Sequence, residues 1–258
     1  MISAIVQARM GSTRLPGKVM MEICGRPMLW HVIHRLRHAE RLDSIVVATS
    51  EQMIDDEIEE FCRAEKVPCF RGSEKDVLDR YYQAAKWIGA DVIVRITADC
   101  PLIDPEVVDS VVNKYLECEC DYASNSELRT YPDGLDTEVF SFNALKRAWS
   151  EARMMSEREH VTPYIRNNKI IFTSADVFQE RDLSTLRWTV DEPEDIEFVR
   201  NIYERLYRSD RVFLMDEVVN LLREDPKLLE INKGFERNEG YLRSLREDFA
   251  VDFPDKSD

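Results

Sequence analysis

The chain has 258 residues and 44% hydrophobic content, enough to fill one sizeable core, so a single α/β domain with a smaller C-terminal appendage is expected rather than disorder. Fifty acidic residues against 35 basic ones leave a net charge of −15, which repels phosphate backbones and excludes nucleic acid as an expected partner. No apolar stretch approaches the roughly 20 residues that cross a bilayer, and the start of the chain has no basic region ahead of its apolar run, so no membrane insertion and a cytoplasmic location are expected.

Taken in chain order, apolar and β-branched runs at residues 2–8, 44–49, 68–71 and 91–97 read as strands. Helical patterns alternate with them. Over 27–40 the stripe is Met28, Leu29, Val32, Ile33 and Leu36; over 52–65 it is Ile54, Ile58, Phe61 and Cys62; over 75–88 it is Val77, Leu78, Tyr81, Tyr82 and Ala85. Near-continuous apolar strands alternating with helices predict a Rossmann-like, mixed but mostly parallel sheet flanked by helices. His31, His34 and His38 fall away from the first helical stripe and are expected at the surface. Asp104, ahead of Pro105, reads as the N-cap of the next helix. Beyond residue 120 the rhythm changes to shorter strands at 122–124, 137–142, 169–175 and 187–190, with helices at 143–153 and around 159–166. From Pro193 onward the chain turns helical (194–207 and 216–223) and ends in a polar tail at 255–258. The six cysteines form no C-x-x-C pair and are expected as reduced structural thiols.

Three segments carry the candidate chemistry. The first strand runs into a loop holding Ala8, Arg9, Gly11, Ser12, Arg14, Gly17 and Lys18. Backbone N–H groups, two arginines and a lysine at the carboxyl edge of a parallel sheet can cradle a triphosphate; the same residues also suit a solvated basic loop. Val19 after the lysine breaks the Walker A pattern, and G-x-G-x-x-G is absent. The second segment is the strand end at 95–101, where Arg95 precedes Asp99 and Pro101 turns the chain. Asp99 is there either a turn residue or a metal ligand at the same edge as the loop. The third is the run 190–195, in which Pro193, Glu194 and Asp195 suit a helix start and Asp191 or Glu192 a cap.

The string A-R-x-x-S-x-R-L-P-G-K, read as A-R-M-G-S-T-R-L-P-G-K over residues 8–18, resembles the phosphate loop of the sugar-activating cytidylyltransferases. The likeness is greatest to those similar to spore coat polysaccharide biosynthesis protein F, and extends to the CMP-KDO and, more distantly, the CMP-sialate synthetases. Further ordered matches to the first group lie at 47–50, 71–78, 95–101, 134–138, 159–164 and 188–195, so the resemblance covers residues 1 to about 205. It implies a fold of the nucleotide-diphospho-sugar transferase type. It divides the chain into a nucleotidyltransferase domain over 1–207, with a nucleotide-binding half (1–120) and an acceptor and dimerisation half (121–207), and a helical extension over 208–258.

The activity implied is transfer of CMP from CTP to a sugar or sugar acid with release of pyrophosphate, in surface polysaccharide or glycoconjugate synthesis. Arg14 and Lys18 would neutralise the β- and γ-phosphates, and Asp99 with Asp191 would hold Mg²⁺. Ala8, Arg9, Gly11, Ser12, Ala48, Arg71 and Arg95 fall on the nucleotide side, and Asp136, Glu138, Arg158, Glu159, His160 and Tyr164 on the acceptor side. His160 read without the resemblance is a helix-surface position. A homodimer is also implied, for which Tyr131, Phe140 and Phe142 offer apolar area if exposed; a core role suits each of them equally. Two other readings stand beside this one: a glycosyltransferase using a ready-made nucleotide sugar, against which the missing second Asp of a D-x-D pair counts, and a non-catalytic nucleotide-binding subunit of polysaccharide assembly.

Overall fold

The computed structural model describes residues 1–235, 237 and 239–251; the polar tail at 255–258 lies outside the described residues. In chain order the elements are β1 (Ile2–Gln7), a small hairpin of β2 (Glu22–Ile23) and β3 (Arg26–Pro27), α1 (Met28–Leu36), β4 (Ser44–Ser50), α2 (Asp56–Glu65), β5 (Cys69–Gly72), α3 (Val77–Ile88), β6 (Val92–Thr97) and α4 (Pro105–Cys118). The second half holds β7 (Tyr122–Ser124), β8 (Glu138–Ser141), α5 (Phe142–Glu151), α6 (Met155–His160), α7 (Pro163–Asn167), β9 (Ser174–Asp176), α8 (Pro193–Leu206), α9 (Met215–Glu224) and α10 (Glu239–Arg246).

Seven strands form one sheet in the order β5-β4-β1-β6-β8-β7-β9. The ladder is parallel from β5 to β6, antiparallel on both sides of β8, and parallel again between β7 and β9. The expected mixed, mostly parallel sheet is therefore present. Its central strands carry buried residues on both faces, such as Ala4 to Val6 and Val46 to Ala48. This double burial is why they read in sequence as unbroken apolar runs rather than alternating ones. One face packs on α1, α2 and α4 through Leu29, Val32, Ile58, Val108 and Val111; the other packs on α3 and α5 through Leu78, Tyr81, Leu145 and Trp149. A third cluster around Trp188 joins α8 and α9 to Met28 of α1, so Phe213, Val218, Leu222 and Leu228 share the core of the main body.

The helix boundaries follow local chemistry. The Asp76 side chain accepts the Asp79 N–H at the start of α3, and Asp104 accepts from Glu106 and Val107 with Pro105 in the first turn of α4. The helix expected around 159–166 is two short ones. Val161 sits at φ 73, a strained value for a β-branched residue, and Pro163 starts the second.

Several expectations are corrected. Residues 187–190 form no strand: the Trp188 and Thr189 N–H groups donate to the Asp133 carbonyl and Val190 N–H to that of Asp99, so the hydrogen bonds tie loops together instead of building a ladder. Over 169–175 only the end is strand, as β9. Tyr131 and Phe140 are buried, and Phe142 packs on the core with its ring stacked on Tyr82; none is a free apolar surface. Cys118 and Cys120 are joined in a disulfide, across Glu119 in the left-handed conformation that ends α4, whereas Cys62 and Cys100 are buried thiols.

His31 is likewise buried, its Nε2 2.7 Å from the Ile23 carbonyl and its ring edge-on to Tyr203. The hairpin and α8 cover the side of α1 that its apolar stripe leaves open. Burial pushes His31 down to about 4 from its ordinary 6.5. Between those values the unfolded chain binds a proton that the folded chain does not. His31 therefore contributes stability fully present above pH 6.5 and lost as the pH falls to 4, about 3 kcal/mol in all. Urea midpoints from pH 7.5 to 4 should fall more steeply for the native chain than for His31→Gln; parallel curves would show that this imidazole titrates freely.

Candidate active site

A cavity of about 530 Å³ opens at the carboxyl edge of β1 and β6 and runs toward α6, α7 and α10. The loop after β1 forms one end. It is folded by the Met10 carbonyl, which accepts from Ser12 and Gly17 N–H, with Gly17 at φ 70, and by Asp55, which accepts the Met10 N–H at 2.7 Å. Arg9, Ser12, Arg14 and Lys18 thereby face the cavity. Among the described residues Arg9 pairs with no carboxylate, leaving its charge available to an anion.

Lys18 is buried, and its ammonium lies 2.8 Å from Asp99 Oδ2, 2.8 Å from Asp191 Oδ1 and 2.7 Å from the Val190 carbonyl. Two carboxylates 92 positions apart in sequence thus converge on one cation. Backbone geometry sets their spacing: Val190 N–H donates to the Asp99 carbonyl at 2.8 Å, and Asp195 accepts the Asp191 and Glu192 N–H groups at the head of α8. Gly134, at φ 112, makes this loop meeting possible, because a Cβ there would lie 2.6 Å from the Trp188 carbonyl carbon and the Thr189 nitrogen. Withdrawal from bulk water at the cleft floor would raise Asp99, but the Lys18 ammonium outweighs it and holds the carboxyl at about 2. Arg14 reaches Asp191, Glu192 and Glu239 at 3.0–3.1 Å.

The far end is built on Glu138 of β8. Arg95 lies 2.5 Å from it, and Tyr122 and Thr162 hydroxyls donate to its other oxygen at 2.7 and 2.6 Å. Burial would raise Glu138, yet Arg95 holds it below the usual carboxylate range. Asp136, Glu159 and His160 also line this end. Burial pushes His160 down to about 4, against the pull of Glu159. Asp133 is pushed up to about 6, by burial and then by repulsion from Asp136. The strained turn at Val161 lets His160 and Thr162, two positions apart, both face the cavity.

Of the residues singled out in sequence, Arg9, Ser12, Arg14, Lys18, Arg95, Asp99, Asp136, Glu138, Glu159, His160 and Asp191 line this cavity. Six do not. Ala8, just past β1, and Ala48 of β4 are buried, and Gly11 is an exposed loop residue. Arg71 pairs with Asp56 and Glu59 beside β5, Tyr164 donates to Glu151, and Arg158 is buried on Asp76 beneath α3. Sequence reasoning missed Asp133, whose only signal was the Asp-Gly turn it starts, and Arg166, Tyr241 and Arg243, which had none.

A loop of cations at the end of a parallel sheet, facing paired carboxylates and a mixed polar pocket, defines a nucleotide-handling transferase cleft. The chain belongs to the cytidylyltransferase family: that family's model matches residues 3–222, and the protein is accordingly a nucleotidyltransferase. It is 38% identical to an uncharacterized protein of Methanocaldococcus jannaschii over 90% of this chain and 95% of the relative. It is 33% identical to the spore coat polysaccharide biosynthesis protein SpsF of Bacillus subtilis over 86% of this chain and 94% of that one. A cytidylyltransferase structure from Leptospira borgpetersenii superposes with a TM-score of 0.85 at 34% identity, covering 91% of this chain and 98% of that chain. The fold is shared with a CMP:2-keto-3-deoxy-manno-octonic acid synthetase complexed with CTP, at a TM-score of 0.59 and 18% identity over 80% and 99% of the two chains. Among the described residues no helix is long and apolar enough to cross a membrane.

Proposed function

We propose that the chain transfers CMP from CTP to a sugar or sugar acid with release of pyrophosphate, in the synthesis of a surface polysaccharide or glycoconjugate. The observation that carries this reading is the convergence of Asp99 and Asp191 on one cationic point beside the basic loop. Two carboxylates, with remaining positions left to phosphate oxygens and water, are the donor set that Mg²⁺ takes, so these residues fit that ion, with Lys18 displaced from between them. When bound there, Mg²⁺ would supply charge neutralisation at the α-phosphate. Arg9 and Ser12 bind the triphosphate, and Arg14 neutralises charge building on departing pyrophosphate. Glu138, held by Arg95, Tyr122 and Thr162, orients an acceptor hydroxyl for in-line attack on the α-phosphorus. Pyrophosphate release from CTP, measured with Mg²⁺ and a panel of sugars and sugar acids, tests the reading; the same panel with UTP, GTP and ATP tests the base. Turnover with UTP in preference to CTP would overturn the cytidylyl assignment. A homodimer belongs to the same proposal. With Tyr131, Phe140 and Phe142 in the core, exposed Leu128, Ile170 and Phe178 of the second half remain as apolar area for it. A monomer mass by light scattering at micromolar concentration would overturn that part.

A further inference from the structure

The family model ends at residue 222, yet Glu239, Gly240, Tyr241 and Arg243 of α10 line the cleft. The C-terminal segment is strapped across it by contacts of several kinds. Arg237 pairs with Asp136 and lies 3.6 Å from Asp133. The Ser244 hydroxyl sits 2.9 Å from Glu159 and 3.0 Å from His160 Nε2. The Tyr241 ring stands edge-on to His160 at 4.9 Å, and the Arg166 guanidinium lies over it at 4.7 Å. Asp248 accepts the Ser156 N–H and hydroxyl at the head of α6, and backbone bonds join Met155 to Phe249 and Val251 to Arg153. Apart from Glu239 on Arg14, these partners lie at the acceptor end, on or beside α6, on α7 and in the turn before β8.

We infer that this strap is the acceptor-selecting wall of the cleft, with Arg243 contacting an anionic substituent of the sugar and Tyr241 positioning Arg166 and His160. The assignment rests on the function proposed above. Charge pairing singles out Arg243. At the same end Arg95 is paired with Glu138, Arg166 with Glu127 at 3.0 Å, and Arg237 with Asp136. Among the described residues Arg243 lines the cavity without any carboxylate partner. An anion entering from the acceptor side therefore meets one unneutralised guanidinium, which can take a carboxylate or phosphate in bidentate fashion. Tyr241 acts through others: its ring stands against the His160 edge and under the Arg166 head, and its side chain also hydrogen-bonds that guanidinium.

The test uses the full-length chain and its Arg243→Gln, Arg243→Lys, Tyr241→Ala and Tyr241→Phe variants. Acceptor KM and kcat are read for sugar acids and sugar phosphates separately, and CTP affinity by calorimetry. Arg243→Gln should raise the KM for one of the two anionic classes about 10- to 100-fold, the size of a lost charge-assisted bond, with kcat and CTP affinity within about twofold. Arg243→Lys keeps the charge but not the fork and should recover part of that loss. Tyr241→Phe, which keeps the ring and loses the hydrogen bond to Arg166, should raise the same acceptor KM less than Tyr241→Ala does. A strap with only a structural role would instead shift CTP affinity and acceptor KM together, and that overturns the inference. So does an active native enzyme whose Arg243→Gln variant keeps its acceptor KM. A native chain that releases no pyrophosphate with any acceptor overturns the parent reading and this one with it.

Discussion

Asp99→Asn and Asp191→Asn should each lower the rate of pyrophosphate release by at least about 100-fold at saturating CTP, because each removes one of the two charges that converge at the cleft floor. Asn keeps the size of Asp and leaves intact the backbone bond from Val190 to Asp99. The stability consequence differs from what the residues suggest in isolation. Two facing carboxylates repel in the absence of a cation, which predicts variants as stable as the native chain or more so. With the Lys18 ammonium between them, each carboxylate is an attractive partner instead. Asp99 is held at about 2 against an ordinary 3.8. Its contribution is therefore present above about pH 4 and lost as the pH falls from there toward 2, and Asp99→Asn should cost about 2 kcal/mol at pH 7. Urea unfolding checks the stability and a pyrophosphate assay the rate. Full turnover by either variant would return both carboxylates to the turn and cap roles that their sequence neighbourhoods also allow.

Arg14→Ala should weaken CTP and inorganic pyrophosphate binding about 10- to 100-fold while changing CMP affinity by no more than about threefold. In the structure the Arg14 guanidinium is occupied by Asp191, Glu192 and Glu239, so a triphosphate must compete with carboxylates for it. Glu239→Gln removes one competitor that is itself largely exposed and should tighten CTP binding a few-fold. Calorimetric titration of CTP, CMP and pyrophosphate into the three proteins distinguishes these effects. Equal losses for CTP and CMP in Arg14→Ala would move this side chain off the leaving pyrophosphate. Lys18→Ala is the less clean probe, since it also leaves Asp99 and Asp191 facing each other without a counter-ion.

The parallel half of the sheet was legible in sequence, because β1, β4 and β6 are covered on both faces and betray themselves as apolar runs. The basic loop and Asp99 were legible for a related reason: chemistry at the end of a buried strand stands out against the strand itself. Asp191 was ambiguous, since the residues that could ligate a metal at that point are the same ones that start α8. The burial of His31 was hidden because amphipathic spacing describes one face of α1, while the hairpin and α8 bury the other. Arg158 and Arg71 look in sequence like ligand-seeking cations, and only the fold shows the carboxylates that already hold them. The strap was illegible altogether: Arg237, Tyr241 and Ser244 are ordinary helix and loop residues until the chain returns 75 or more positions to meet Glu159 and Arg166.

Strand β6 is bonded to β1 in parallel on one side and to β8 in antiparallel on the other. The first-loop cations proposed to hold the triphosphate lie on the β1 side of that seam, and Glu138 with its neighbours lies on the β8 side. Arg95, Thr97 and Asp99, all on or just after β6, line the cavity between the two. A lineage can therefore retool one bank of the cleft by drift without unsettling the other, so long as this single strand is inherited intact. Under the proposed function, such a partition would let one scaffold take up many sugars while its grip on the activated donor stays the same.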